Sequence, residues 1–134
     1  MSKSSPDAAS RILLTDTPSQ IKAKIRGAVT DSIQGITYDP ASRPGTSNLL
    51  TILAACTNND VLQVAKRYEN KGHGHLKSDV TDAVEEVLRG PRAEFGRLRH
   101  EKTFLEEVAR KGASQALEFS EATINQVRRR VGLS

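Results

Sequence analysis

A few residues in this chain have types and spacings that could do chemistry. Lys3 stands between Ser2 and Ser4, with Pro6 just beyond and no helix or strand signal to hold them. A stretch of that make-up reads as a working loop cut off from its other half. His73 and His75 lie one residue apart in the glycine-rich run KGHGHLK. Zinc sites need three or four ligands, and no Cys or carboxylate clusters with this pair in sequence, so no metal site is expected there. Cys56 falls in an apolar run with no histidine near it in sequence, which makes it a small core residue rather than a thiolate. The pairs Glu85–Glu86 and Glu106–Glu107 are adjacent rather than opposed, the pattern of a solvated helix face. There is no Ser-His-Asp pattern in a suitable setting and no complete phosphate-binding glycine loop. Basic residues, by contrast, do cluster. Arg89, Arg92, Arg97 and Arg99 crowd one stretch, and Arg128, Arg129 and Arg130 close the last helix, where cations interact well with the helix dipole.

Such side chains need a scaffold, and composition bounds it. At 134 residues the chain suits one core. Hydrophobic residues are 37% and charged residues 27%, the proportions of a folded domain rather than a disordered tail. Aromatics are only 4% and Trp is absent, so the core must be aliphatic. A net charge of +4 leans toward polyanionic partners such as nucleic acid. One cysteine cannot form an internal disulfide. No apolar run is long enough to span a membrane, and no targeting signal is visible.

The elements follow from caps and periodicity. Residues 1–16 read as a loop with at most a brief turn. Thr17, Pro18 and Gln20 make a capping box with proline at the first helical position. Ile21, Ile25, Ala28 and Val29 then share a stripe, with Lys22, Lys24 and Arg26 off it. Residues 31–46 are rich in Gly, Pro, Asp and Ser and predict a long loop. Ser47 is the expected cap of a buried helix, NLLTILAAC. Asn59 or Asp60 caps the next, with Leu62, Ala65 and Tyr68 on one face beside Val61 and Val64; Gly72 ends it, and KGHGHLK is expected as a turn. A longer helix is predicted from about Leu76 to Arg99, with Val80, Ala83, Val84, Val87 and Leu88 inward and a kink or break at Gly90-Pro91. Thr103 with Glu106 predicts a second capping box and a helix through Ala109, interrupted by Gly112. The last helix runs from about Ala113 to Arg130, with Ala116, Leu117, Ser120, Ile124, Val127 and Val131 as its stripe and Gly132 as its stop. No segment alternates with period two for long enough to be a strand. The expectation is an all-α, irregular bundle of about six helices.

Several motifs carry a resemblance. MSKS at Met1–Ser4 looks like the last four residues of the KMSKS signature of class I aminoacyl-tRNA synthetases. AVTDS at Ala28–Ser32, TYDP at Thr37–Pro40, RPGTSNLL at Arg43–Leu50 and YENKGHGHLKSDV at Tyr68–Val80 follow in order and spacing. With the closing RRRVGL, they resemble the region downstream of that signature in tryptophanyl-tRNA synthetases of the bacterial and mitochondrial type. The resemblance covers essentially the whole chain. It implies a fragment: residues 1–16 as signature loop and linker to a catalytic domain lying upstream, and residues 17–134 as a helical anticodon-binding domain.

The resemblance also implies roles. The parent enzyme activates tryptophan with ATP and Mg2+, releasing pyrophosphate, and passes the aminoacyl group to tRNA(Trp). Lys3 matches the second lysine of the signature and would stabilise charge developing on the departing pyrophosphate. Ser2 and Ser4 would donate to phosphate oxygens. Anticodon and phosphate contacts would fall to Lys66, Arg67, Lys71, Arg89, Arg92, Arg97 and Arg99. Tyr38, Asp39, Pro44 and Gly45 would shape the long loop. The fragment by itself would be inactive and hold no cofactor, and the parent would dimerise through the catalytic domain. The resemblance fits a mitochondrial matrix, or alternatively a bacterial cytoplasm. A different reading is a helical protein-interaction module without specific RNA binding, prompted by the surface that an absent catalytic domain would leave exposed.

Overall fold

The Thr17 capping box sets the entry to the first helix in the computed structural model, which describes residues 7–133. The Gln20 amide N–H donates to Thr17 Oγ1 at 3.3 Å, and Gln20 Oε1 accepts from the Thr17 N–H at 2.8 Å. That helix, α1, runs Pro18–Gly27, after a 3-10 turn at Ala8–Ser10. Then come α2 (Pro44–Thr57), α3 (Val61–Tyr68), α4 (His73–Leu98) and α5 (Lys102–Arg130). The described residues contain no strand, so the all-α expectation holds. None of their helices is long and apolar enough to cross a membrane.

The chain divides into two compact units, Met1–Arg92 and Ala93–Ser134. In the first, Ile21 and Ile25 of α1 meet Leu49, Leu50, Leu53 and Ala54 of α2, Val64, Ala65 and Tyr68 of α3, and Leu76, Val80 and Val84 of α4. Ile36, from the long loop, fills the same core. The core is aliphatic apart from Tyr68. At roughly 25 cal/mol per Å2 of apolar surface, each fully buried Ile or Leu contributes about 2 kcal/mol.

Several element boundaries depart from the sequence expectation. α1 stops at Gly27, so Val29 lies beyond it and is 87% exposed instead of joining the stripe. α2 begins at Pro44, not at Ser47. Ser47 is buried inside the helix, where its Oγ accepts from the Asp39 N–H at 2.9 Å. Proline at the first helical position preorganises the turn without a side-chain cap. Asp60 caps α3 by accepting from the N–H groups of Leu62 and Gln63, both at 3.0 Å. The inward face of α3 is Val64, Ala65 and Tyr68, while Leu62 is 56% exposed. KGHGHLK is not a turn, because α4 already begins at His73. Val87 points out, and Gly90-Pro91 does not break α4.

The second unit holds the end of α4 and α5. The two helices expected on either side of Gly112 are one, which is why the described residues form five α-helices where six were expected. Thr103 lies inside α5 and caps nothing; Glu101 precedes the helix without a side-chain cap bond. A lone glycine costs a helix only about 1 kcal/mol relative to alanine, too little to divide 29 residues. The C-terminus closes as expected at Gly132. The Leu133 N–H donates to the Arg128 carbonyl at 2.9 Å, and the Gly132 N–H to the Arg129 carbonyl at 3.4 Å, the paired bonds of a Schellman motif. None of the residues of α5 is buried. Its expected apolar stripe, Leu117, Ile124, Val127 and Val131 included, is exposed.

Candidate nucleic-acid interface

The resemblance motifs converge on one buried polar cluster in the first unit. Arg43 precedes α2 and is 4% exposed. A cation is poorly placed at a helix N-terminus, and the fold answers with a carboxylate. Arg43 Nε donates to Asp31 Oδ2 at 3.0 Å, and one terminal nitrogen donates to Asp31 Oδ1 at 2.6 Å. The guanidinium also donates to Thr37 Oγ1 at 2.8 Å and to the Ile33 and Gly35 carbonyls at 3.2 and 3.0 Å. All three guanidinium nitrogens thus help pin the 31–43 loop. Thr46, one turn into α2, donates its hydroxyl hydrogen to Asp31 Oδ2 at 2.7 Å. His73 Nε2 lies 3.1 Å from the same hydroxyl and 3.7 Å from Asp31 Oδ1. Thr46 gives its one hydroxyl hydrogen to Asp31, and Nε2 also stands 3.5 Å from a terminal nitrogen of Arg43. Arg43, then Thr46 and the Ile33 N–H, hold the Asp31 carboxyl well below the usual carboxylate range, against the opposing effect of burial. No buried side-chain polar atom among the described residues is left without a partner.

An open groove of about 570 Å3 lies over this cluster. One wall is Ser32–Gly35, the other Glu69–His73. Gly35 has φ +76, and a Cβ there would sit 2.9 Å from the Glu69 carbonyl oxygen, so the two walls approach too closely for any side chain. Below the groove, the Tyr68 hydroxyl donates to Asp79 Oδ2 at 2.5 Å. Burial, with that bond and the Asp79 charge, pushes the Tyr68 phenol up to about 12. Lys71 stands 4.6 Å above the Tyr68 ring centroid.

The expected tRNA-contacting residues fall into two groups. Lys66, Arg67 and Arg99 are exposed and carry no ion pair, and Lys71 faces only an aromatic ring. The other three are met by carboxylates. Arg92 holds Glu85 through two bonds, at 2.7 and 3.0 Å, and reaches the Leu14 carbonyl at 3.4 Å. Arg97 bridges Glu94, at 2.9 and 2.6 Å, and Glu101. Arg89 pairs with Glu86. Lys3, Ser2 and Ser4 lie outside the described residues. Cys56 is half-buried against the core, where burial pushes its thiol up. His73 serves the buried cluster, and no group of three or more His, Cys, Asp or Glu among the described residues could hold a metal.

Sequence reasoning gave Asp31 and Arg43 no role beyond their place in the resemblance motifs. The usable signal was electrostatic: an arginine immediately before a proline-initiated helix calls for a nearby carboxylate.

A family model described as tRNA synthetases class I (W and Y) matches residues 1–89. The chain belongs to that family. Every member of the Asp31–Arg43–Thr46–His73 cluster lies within the matched residues. Similarity to individual synthetases extends further along the chain. It is 36% identical over 132 residues to the tryptophan–tRNA ligase of Clostridium acetobutylicum, covering 98% of this chain and 39% of that protein. It is 41% identical over 132 residues to that of Mycobacterium leprae, covering 98% and 38%. The crystal structure of tryptophanyl-tRNA synthetase from Mycoplasma pneumoniae superposes with a TM-score of 0.81 at 27% identity, over 100% of this chain and 41% of that one. The chain thus spans about two fifths of the length of the synthetases it matches. These relatives are bacterial, and none of them supports the mitochondrial expectation.

Proposed function

We propose that this chain is the RNA-contacting helical part of a tryptophan–tRNA ligase, the part that engages the anticodon arm. The observation that carries the reading is similarity to tryptophan–tRNA ligases along 98% of the chain. The free cations Lys66, Arg67, Lys71 and Arg99 support it, since phosphates are held by unpaired lysine and arginine. Arg89, Arg92 and Arg97 are weaker candidates, because carboxylates of the protein already meet their charge.

In the whole enzyme the tryptophan carboxylate attacks the α-phosphorus of ATP, and the bond to the leaving pyrophosphate breaks. Lys3, with Ser2 and Ser4, has the donor chemistry to bind those phosphate oxygens, and magnesium would share their charge. The aminoacyl group then passes to the 3′ end of tRNA(Trp). The 134 residues alone bind no ATP productively in this reading. The bacterial relatives favour a bacterial cytoplasm as the enzyme's setting.

The test is binding of the purified chain to the anticodon stem-loop of tryptophan tRNA and to one with a scrambled anticodon, at two salt concentrations. Preference for the true anticodon that survives the higher salt is expected. Equal binding to both that collapses with salt would overturn base reading by this chain. The exposed apolar stripe of α5 favours a second reading, docking to another protein. Concentration-dependent association without RNA would support it.

A further inference from the structure

A second groove, of about 310 Å3, lies between α1 and α4 and has no part in the cluster described above. Its lining is Lys22 and Arg26 from α1 and Gly74, Lys77, Ser78, Thr81 and Asp82 from α4. Three cations against one carboxylate leave an excess of positive charge. Lys22 and Arg26 are one turn apart, exposed, and without an ion pair. Both also border an adjoining depression along α1.

Lys77 differs from those two. Its ammonium donates to the Ala28 carbonyl at 2.7 Å and to the Arg26 carbonyl at 3.1 Å, at the C-terminal end of α1. An ammonium has three donors, so one remains after those bonds fix the group in place. The entropy of ordering this lysine is therefore met by folding rather than by ligand binding. Thr81 spends its hydroxyl hydrogen on the Lys77 carbonyl at 2.7 Å, whereas Ser78 keeps a free one. Gly74, in the first turn of α4, has nothing within 4 Å of where a Cβ would stand. No packing contact requires glycine there, and its absent side chain leaves the groove floor open. The lining contains no aromatic ring and no side-chain amide, and its three cations suit a charged backbone better than a base.

We infer that the α1–α4 groove is a phosphodiester subsite, where Lys22, Arg26 and the fixed Lys77 hold the backbone of the bound tRNA without regard to its sequence. This rests on the RNA-binding reading given above. Its contacts position the RNA and leave discrimination to other residues.

The test measures binding of the 134-residue chain to tryptophan tRNA, and to the same tRNA with a scrambled anticodon, over a range of salt. Lys22→Ala/Arg26→Ala is expected to lower the slope of log affinity against log salt by about two, about one per cation removed, with a loss of at least about tenfold at about 0.1 M salt. The loss should be equal on both tRNAs. Gly74→Glu puts an anion in the groove, while Gly112→Glu makes the same charge change on α5; both sites have open space for a Cβ. The first should weaken binding several-fold more than the second. An unchanged slope in the double variant, equal effects of the two glycine variants, or a loss confined to one tRNA would overturn the subsite. Failure of the wild-type chain to bind either tRNA would overturn the RNA reading and the subsite together, whereas tight wild-type binding with an unaffected double variant would overturn the subsite alone.

Discussion

Two residues make the close fit of the first unit measurable. Tyr68 is buried, and its phenol titrates at about 12 because burial and Asp79 both favour the neutral form. A raised acid pKa contributes stability in full below the unfolded value of about 10, and that stability is lost as pH rises toward 12. Tyr68→Phe should therefore lose about 1–2 kcal/mol at neutral pH, for the hydrogen bond to a charged partner. The gap to wild type should close between pH 10 and 12, read by urea melts across that range. At Gly45, a Cβ would stand 2.2 Å from the Val29 carbonyl oxygen, backbone against backbone. Gly45→Ala should cost about 2 kcal/mol or more, and a melt matching wild type would contradict the close approach of α2 to residue 29. What was legible at this scale was local. Thr17, Gln20 and Asp60 act within three residues of themselves, so sequence alone announces them. The Asp31–Arg43 pair and the Thr46–His73 contact depend on a loop folding back on itself, and no local pattern encodes that.

Helices were legible in kind, less so in number and in their ends. The stripes of α1, α3 and α4 follow the 3.6-residue period, and most of the residues read as inward are inward. Errors arose where a signature has two meanings. Thr103 with Glu106 fits a capping box, but the same spacing occurs inside any helix. Gly90-Pro91 reads as a stop, yet α4 continues through it. Pro91 cannot donate to the Val87 carbonyl, a loss of up to about 3 kcal/mol relative to alanine. Pro91→Ala is expected to raise stability by about 1–3 kcal/mol in thermal melts. A lower melting temperature would mean that the proline ring itself makes contacts α4 needs. The stripe of α5 shows the limit of periodicity, which reports that a face is apolar and not whether anything covers it.

For the molecule as a whole, motif order carried more than composition did. A mild positive charge is common to many proteins, whereas six motifs in order single out one family. The chain matches about two fifths of the length of its relatives, and the reading proposed above assigns tryptophan activation to the whole enzyme. The purified 134-residue chain is expected to show no tryptophan-dependent exchange of pyrophosphate into ATP; measurable exchange would refute the division of labour proposed here. The match of fold to the Mycoplasma pneumoniae synthetase was foreseeable from the motifs. The open groove between α1 and α4 was not, because Lys22 and Lys77 are far apart in sequence and meet only once the core forms.

The bonds from Lys77 to the carbonyls at the end of α1 have a further effect. They cross the long loop, as does the Asp31–Arg43 pair. A protease cut at exposed Gln34 would sever the peptide chain but none of these bonds, and Ile21 and Ile25 would stay seated in the core. The cleaved protein should behave as a two-piece assembly, running as one particle under native conditions and as two in denaturant. The covalent continuity of the loop is then dispensable, and the N-terminal piece, made separately, should re-dock onto the rest as a peptide ligand.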